Sequence, residues 1–450
     1  MEISIAGAGA GKTTTMANKI IQLHLKMNEY LKIFCITFTN NATKCISEKL
    51  QAHYGYIPDN IIVSTIHSFF YQEFIKPYYF LLFGKQYERI STAELPSRNV
   101  YKNSVIKRLE NKNILHQVVI PERAKWVIVK KSNDNKNIKA KRLVIRNIFK
   151  SYCGAICIDE AQDIDNNMSE VIELLHNLGI PIILMGDPKQ DLKGHGCLRN
   201  LAEKYSDKVE YLKFCYRCPQ NHLILSNSII SDIEKQYSKK NGGLIKVYFS
   251  SDKNIYDLLY ERNFDLKYIS RKQGIYETHI NKKNKNIKEA ICEEIYIAIK
   301  NNYINKSEIE LMRYSYYLSE KLLYSYKFLK DKKKAMMYTL RDVSLKDKKA
   351  YGRIISLIIE ENDDDKNKMV YVNSIDSIKG QEGKHCLLIL TTDLAAYLFG
   401  KKTEENICKN RLYVGLTRSL EVLIIFITPE VEEIYGKEKI KSFFYKYGCL

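Results

Sequence analysis

Two groups of residues in this 450-residue chain carry the chemistry of phosphoryl transfer. The first is Ala6-Gly7-Ala8-Gly9-Ala10-Gly11-Lys12-Thr13, followed by Thr14. It comes after the apolar pair Ile3 and Ile5 and before a helix-like stretch. A glycine-rich turn between strand and helix aims backbone N–H groups and the positive helix end at phosphates. A lysine at position 12 reaches the β- and γ-phosphates, and the hydroxyl of Thr13 suits Mg²⁺. The strict pattern has glycine where Ala6 stands, so alone it also fits an ordinary glycine turn. The second group is Asp159-Glu160-Ala161-Gln162-Asp163, directly after the apolar run Ala155-Ile156-Cys157-Ile158. A carboxylate at the tip of a buried strand suits a metal, and its neighbour orients or deprotonates an attacking water. Either group alone has a bland reading; together, each after an apolar strand, they predict an ATP-hydrolysing core with Mg²⁺.

The elements that must position these groups are legible as alternating strands and helices from Met1 to about Phe70 and from about Phe149 to Tyr205. Asn60 to Val63, Gly154 to Ile158 and Ile180 to Met185 are short continuous apolar runs, the kind buried on both faces of a parallel sheet. A second α/β unit begins near Val209, with apolar runs at Leu244 to Phe249, Leu266 to Ile269, Met369 to Val372, Cys386 to Leu390 and Val422 to Ile427. Residues 71–148 lack that rhythm and read as a mainly helical insert. A second insert between Gln273 and Lys368 has helices expected at Lys288 to Lys300 and Lys306 to Lys330, with Asp363 to Lys368 a polar link. No internal repeat of fixed period is present.

Further segments narrow the reading. Thr37-Phe38-Thr39-Asn40-Asn41-Ala42 closes the strand Ile33 to Ile36 and opens a helix, and Thr65-Ile66-His67-Ser68-Phe69 does the same after Ile61-Ile62-Val63. Gly186-Asp187-Pro188-Lys189-Gln190 ends the run Ile182 to Met185. The C-terminal half adds Tyr216-Arg217, Lys379-Gly380-Gln381-Glu382 and Leu412-Tyr413-Val414-Gly415-Leu416-Thr417-Arg418. In this order the chain resembles the UvrD/Rep/PcrA-type superfamily 1A DNA helicases, and in its compactness the UvrD-like helicase subunits of the Gabija anti-phage system. Phe74-Ile75-Lys76-Pro77-Tyr78 with Leu82-Phe83-Gly84 adds to the second likeness.

The resemblance implies an α/β fold of two RecA-like P-loop lobes, parallel sheets covered by helices, each interrupted by a mainly helical insert. The lobes would be 1–70 with 149–205 and 206–272 with 369–450, and the inserts 71–148 and 273–368. It implies ATP hydrolysis in the cleft and 3′→5′ movement on single-stranded DNA or on a duplex with a single-stranded end. The phosphate loop from Gly7 through Ala8, Gly9, Ala10, Gly11, Lys12 and Thr13 to Thr14 binds nucleotide; Thr13 and Asp159 hold Mg²⁺; and Glu160 orients water. Gln190 senses the γ-phosphate, while Arg217 and Arg418 reach in from the second lobe. Tyr216 stacks on adenine, and Gly380 with Glu382 holds the ribose. As plain structure, Tyr216 would be a core aromatic and Glu382 a surface charge. Phe38, Asn40, His67 and Phe69 lie in segments that contact the strand in the family, with His67 alternatively a buried, hydrogen-bonded histidine.

Three departures matter. The sequence begins a few residues before the phosphate loop, so either the family's adenine-reading glutamine segment is not expected and base discrimination would rest on Tyr216, or the natural start lies upstream of Met1. After the GDPKQ segment, Asp191-Leu192-Lys193-Gly194-His195-Gly196 offers only His195 where the family stacks aromatics on DNA. Asp376 stands where the family usually has histidine, so the lobe-coupling contact there is not expected to carry over unchanged. The short inserts leave a second reading open, a DNA-sensing ATPase that regulates a partner nuclease.

Composition agrees with a polyanionic partner: 71 Lys+Arg against 52 Asp+Glu gives +19. An AT-rich coding bias explains part of that charge but not its clustering. Between Arg98 and Lys150 fifteen basic residues face three acidic ones, with Tyr101 and Trp126 among them. Eleven scattered cysteines, an odd number, read as reduced thiols of a cytoplasmic protein, and Cys215-x-x-Cys218 lacks a second pair for zinc. No apolar run approaches a membrane span, and no signal peptide is expected.

Overall fold

In the computed structural model, residues 1–96, 99–278, 282–300, 303, 305–341, 343, 348–358 and 369–448 are described. The chain divides into a larger unit, 1–84 with 120–278 and 372–450, and a smaller one, 85–119 with 279–371. The larger unit holds two parallel sheets.

The first sheet contains β1 (Glu2–Ala6), β2 (Lys32–Thr37), β3 (Ile61–Thr65), β4 (Cys153–Ile158), β5 (Ile182–Gly186) and β6 (Val209–Leu212) in the order β3-β2-β4-β5-β1-β6. Neighbours run parallel, with Ile3 beside Leu184 and Phe34 beside Ile156. Such strands need crossover helices that cover both faces, so β2, β4 and β5 are buried almost throughout. Among the crossovers are α1 (Lys12–Lys26), α2 (Asn40–Tyr54) and α3 (Ile66–Phe70). Ile20, Ile46 and Leu50 of α1 and α2 pack on Ile33, Cys35 and Met185. On the other face, Phe149 of α4 (Lys136–Tyr152) stacks on Phe34 at 5.8 Å between ring centres, with Phe74 at 4.9 Å from Phe149.

Two expected boundaries move. Val209–Leu212 does not begin the second lobe; it pairs with β1 as the edge strand of the first sheet. Its side chains are only partly buried, as at a sheet edge, which weakens the apolar signal. The expected insert 71–148 is split, since 71–84 and 120–148 pack with the lobes while 85–119 joins the smaller unit. That smaller unit is mainly helical, with α5 (Lys282–Ile299), α6 (Glu308–Leu329) and α7 (Lys332–Leu340). Its core gathers Ile291, Ile295, Leu318, Leu322 and Met336 with Leu109 and Ile114 from the earlier segment. A capping box of Ser307 and Glu310 starts α6. The link Asp363 to Lys368 lies outside the described residues.

The second sheet holds β7 (Leu244–Phe249), β8 (Leu266–Ile269), β9 (Asn373–Ser374), β10 (Gly383–Leu390) and β11 (Ser419–Ile427), ordered β9-β8-β10-β11-β7 and parallel throughout. Its core includes Leu388, Ile425 and Leu412, the last on α8 (Ile407–Leu416). Ala8 of the phosphate loop belongs to the same apolar cluster. The fold is therefore two RecA-like lobes of parallel sheet and covering helices. Among the described residues no helix is long and apolar enough to cross a membrane.

Replacing Phe149 with alanine empties a fully buried ring site between β2 and Phe74. Stability should fall by about 3–5 kcal/mol, read from the urea midpoint of the transition that reports the first lobe.

Candidate functional site: the cleft between the two lobes

Strand-tip threonines show what is special about the phosphate loop. Thr39 Oγ1 accepts the Ala42 N–H at 3.2 Å and Thr65 Oγ1 accepts the Ser68 N–H at 3.3 Å, capping α2 and α3. Helix α1 has no such side-chain cap, and left-handed Gly11 (φ 74°) precedes it. Its first amides are thus arranged for an external anion. Gly9, at φ 66°, sits where a Cβ would lie 2.3 Å from Arg217 Cβ, and a Cβ on Gly7 would lie 2.2 Å from the Gln236 side chain. Two of the loop's glycines are therefore needed for close approach of the second lobe.

On the acidic side, Thr13 Oγ1 donates to Asp159 Oδ2 at 3.2 Å, and the Glu160 N–H donates to Asp159 Oδ1 at 2.9 Å. Burial and the Glu160 charge push the Asp159 carboxyl up to about 6. Burial acts on Glu160 as well, but the Lys12 charge, the Gln162 hydrogen bond and the Lys379 charge outweigh it and hold that carboxyl below its usual range. A hydroxyl and a buried carboxylate turned to one point fit a divalent cation. Glu160 adopts a left-handed backbone (φ 57°, ψ 39°), a costly conformation for a residue with a Cβ that functional sites retain. Lys12 Nζ donates to Ala6 O at 3.5 Å. Gln162 Oε1 accepts the Asp187 N–H at 2.9 Å, and Gln190 Nε2 donates to Asp187 Oδ2 at 2.9 Å. The sensor loop is so tied to the acidic strand end.

Across the cleft, the Tyr216 N–H donates to Gly9 O at 2.8 Å, and its ring is 71% exposed beside Gly11. It is therefore not a core aromatic. Arg217 pairs with Glu382 at 2.5 Å. Gly380 turns the chain before Glu382 in a left-handed conformation (φ 83°). Arg418 is fully buried and donates to Val414 O at 3.0 Å, Gln381 O at 3.1 Å and Thr417 Oγ1 at 3.3 Å. Among the described residues none of its partners is a carboxylate, and burial followed by the Arg217 charge lowers its pKa. The Arg217 charge is felt at the buried Arg418, whose own hydrogen bonds leave its charge unneutralised.

Several residues that do the joining lay outside the predicted set. The Ala8 N–H donates to Tyr413 Oη at 2.9 Å, Tyr413 Oη donates to Gln236 Oε1 at 2.9 Å, and Gln236 Nε2 returns to Ala8 O at 3.1 Å. Both backbone polar groups of Ala8 are thus held by second-lobe side chains. Asn410, on the same helix α8, donates to Asp191 O at 2.9 Å, and Lys379 bonds both oxygens of Asp163 at 2.8 and 2.7 Å. Tyr413 and Lys379 stood in motifs already quoted, but Gln236 stands in none. Asp376, in place of the family's histidine, makes a two-pronged pair with Arg411 inside the second lobe.

Of the residues expected to meet DNA, Phe38 and His195 are half-buried and Asn40 is exposed. His67 is half-buried, and burial, then the Lys193 charge, lower its imidazole pKa, so it is neutral at pH 7. Phe69 must be corrected. It is 3% exposed and packs edge-on to Phe34 at 5.1 Å, so it supports the sheet and offers no face to a base.

Residues 1–194 match the family model described as an AAA domain. The chain is 30% identical to Gabija protein GajB of Bacillus cereus (strain VD045) over 271 residues, 56% of this chain and 51% of that protein. It is 24% identical to ATP-dependent DNA helicase Rep of Buchnera aphidicola subsp. Schizaphis graminum (strain Sg) over 228 residues, 42% of this chain and 34% of that one. Matches to these curated relatives thus span about half of their length or less. Among solved structures, a complex of arterivirus nonstructural protein 10 (helicase) with DNA aligns over 96% of this chain and 62% of that one, with 11% identity and a TM-score of 0.37. The chain resembles UvrD/Rep-type superfamily 1 helicases, and GajB among them.

Tyr413→Phe removes one hydroxyl from the ring of bonds around Ala8 and strands two buried partners. It should cost about 1–3 kcal/mol in nucleotide affinity or stability, read by titration with a fluorescent ATP analogue and by thermal unfolding.

Proposed function

We propose that this chain is an ATP-dependent 3′→5′ single-stranded DNA translocase and DNA helicase of the UvrD-like type, hydrolysing ATP between its two lobes. The observation that carries the reading is the buried Arg418, with no carboxylate partner among the described residues, on the segment whose Tyr413 grips the phosphate loop. Phosphoryl transfer demands cations around the γ-phosphate and little else that is covalent. Lys12 supplies one from the first lobe, and Arg217 and Arg418 supply two from the second. Arg217 exchanges Glu382 for phosphate, which frees Glu382 to accept from the ribose hydroxyls. Tyr216 lays its exposed ring on the adenine. Thr13 and Asp159 would hold Mg²⁺, which supplies charge neutralisation at the phosphates. Glu160 orients the attacking water and takes its proton, its carboxylate kept ionised by Lys12. Gln190 reports the γ-phosphate to the second lobe. Because cations come from both lobes, turnover depends on cleft closure, and closure moves the lobes along a strand. Phe38, Asn40, His67 and His195 line that strand's path; neutral His67 serves as a stacking or hydrogen-bonding group. The polarity rests on the DEAQD and TFTN segments.

A second reading has one observation in its favour. With Phe69 buried and His195 the only ring after the GDPKQ segment, the stacking track is thin. In that reading the chain is a DNA-stimulated ATPase that controls a partner nuclease in anti-phage defence, as its likeness to a Gabija protein suggests, and opens little duplex itself.

ATP hydrolysis should rise at least tenfold with single-stranded DNA. Lys12→Ala and Glu160→Gln should abolish turnover, the glutamine variant still binding nucleotide, as a coupled-enzyme assay and nucleotide titration will report. Displacement from 3′-tailed but not 5′-tailed duplexes supports the first reading; hydrolysis without displacement supports the second.

A further inference from the structure

The smaller unit carries a face that the cleft does not use. Along α6, Leu311, Ser315, Leu318, Leu322 and Ser325 are buried and fix the inward side of the helix. Tyr317, Lys321, Tyr324 and Phe328 follow one another at steps of four, three and four residues, so they share the outward side. At 1.5 Å per residue the stripe is about 16 Å long. Tyr324 and Phe328 are 66% and 67% exposed, with their rings 4.7 Å apart. Tyr338 of α7, also 66% exposed, takes Lys321 Nζ over its ring at 5.3 Å and continues the face onto the next helix.

A chain with 33 tyrosines scatters some of them on its surface. Scatter does not account for this charge pattern. From Leu311 to Arg341 there are eight basic residues, Arg313, Lys321, Lys327, Lys330, Lys332, Lys333, Lys334 and Arg341, against Glu320 and Asp331. Asp331 is engaged in capping α7, and Glu320 pairs with Lys288. The buried core of a protein–protein interface is also rich in Tyr and Phe, but it is depleted of lysine. Flat rings interleaved with lysines match instead a flexible polyanion that carries flat bases.

We propose that the outward face of α6 and α7 binds single-stranded nucleic acid, with bases stacked on Tyr324, Phe328 and Tyr338 and phosphates paired with Lys327, Lys330, Lys333 and Lys334. It is a binding site additional to the residues at the lobes, and it rests on the functional reading only in taking the ligand to be nucleic acid. Stacking accepts any base, so the surface has no sequence preference, and lysine contacts make its affinity fall with salt.

The test uses the full chain and a fluorescein-labelled oligo(dT), followed by fluorescence anisotropy at two salt concentrations, with DNA-stimulated ATP hydrolysis measured alongside. Tyr324→Ala with Phe328→Ala should weaken oligo(dT) binding tenfold or more. Tyr324→Leu with Phe328→Leu should weaken it as much, because apolar area remains and the flat face is lost. Tyr324→Phe with Phe328→Tyr should bind as the unaltered chain does, and all three pairs should melt within a few degrees of it, since the side chains are exposed. Unchanged affinity in the alanine pair, with DNA stimulation intact, overturns this site and leaves the helicase reading standing. Wild-type affinity in the leucine pair also overturns it, as does loss of a co-purifying protein without loss of oligo(dT) binding. If the unaltered chain neither binds oligo(dT) nor is stimulated by it, both readings fall.

Discussion

A guanidinium buried with no carboxylate partner among the described residues is the constraint on which the cleft depends. Arg418 makes hydrogen bonds to two carbonyls and a hydroxyl, and none of these neutralises its charge. Taking an unpaired cation out of water costs several kcal/mol, so the surrounding structure must hold it in place. The support comes from α8 and the turn before β10: Val414 and Thr417 sit at the end of that helix, and Gln381 lies beside Glu382. The same helix sends Tyr413 to Ala8 and Asn410 to the loop after Gln190. One element therefore fixes the cation and grips the loops at Ala8 and Asp191 of the opposite lobe.

Additional cross-lobe contacts share the task. Lys379 on Asp163 links the KGQE turn to the acidic strand end, and Lys189 with Glu234 links the sensor loop to the second lobe. Asp376 turns to Arg411 within the second lobe. Coupling is carried here by Lys379, Asn410 and the Tyr413–Gln236 ring of bonds. Such buried polar links are costly when one partner is lost, so the two lobes are held to a narrow set of relative positions.

Strand positions were more legible in the sequence than domain boundaries. Continuous apolar runs located β7 and β8 to the residue, although β7 is an edge strand whose buried positions alternate with half-buried or exposed ones. Val209–Leu212 was misassigned to the second lobe because an edge strand is half polar and a run of four residues says little about which sheet it joins. The motifs that single out Lys12 and Asp159 are local, each standing directly after a strand, so those positions in the fold were legible. Gln236 was not visible, because its function exists only where Gly7 and Tyr413 come together. Phe69 was misread because an aromatic at a strand-to-helix junction looks the same in sequence whether it faces a base or Phe34.

We propose that Arg418 is held in reserve for the γ-phosphate. The most direct measurement compares the affinity for ADP and the rate of ATP turnover in the unaltered chain and in Arg418→Lys, which keeps the charge and loses the fork. The account predicts ADP affinity within twofold and turnover lower by about a hundredfold or more, with the fold retained by circular dichroism. Equal losses in ADP affinity and turnover, or turnover that is unaffected, would contradict it.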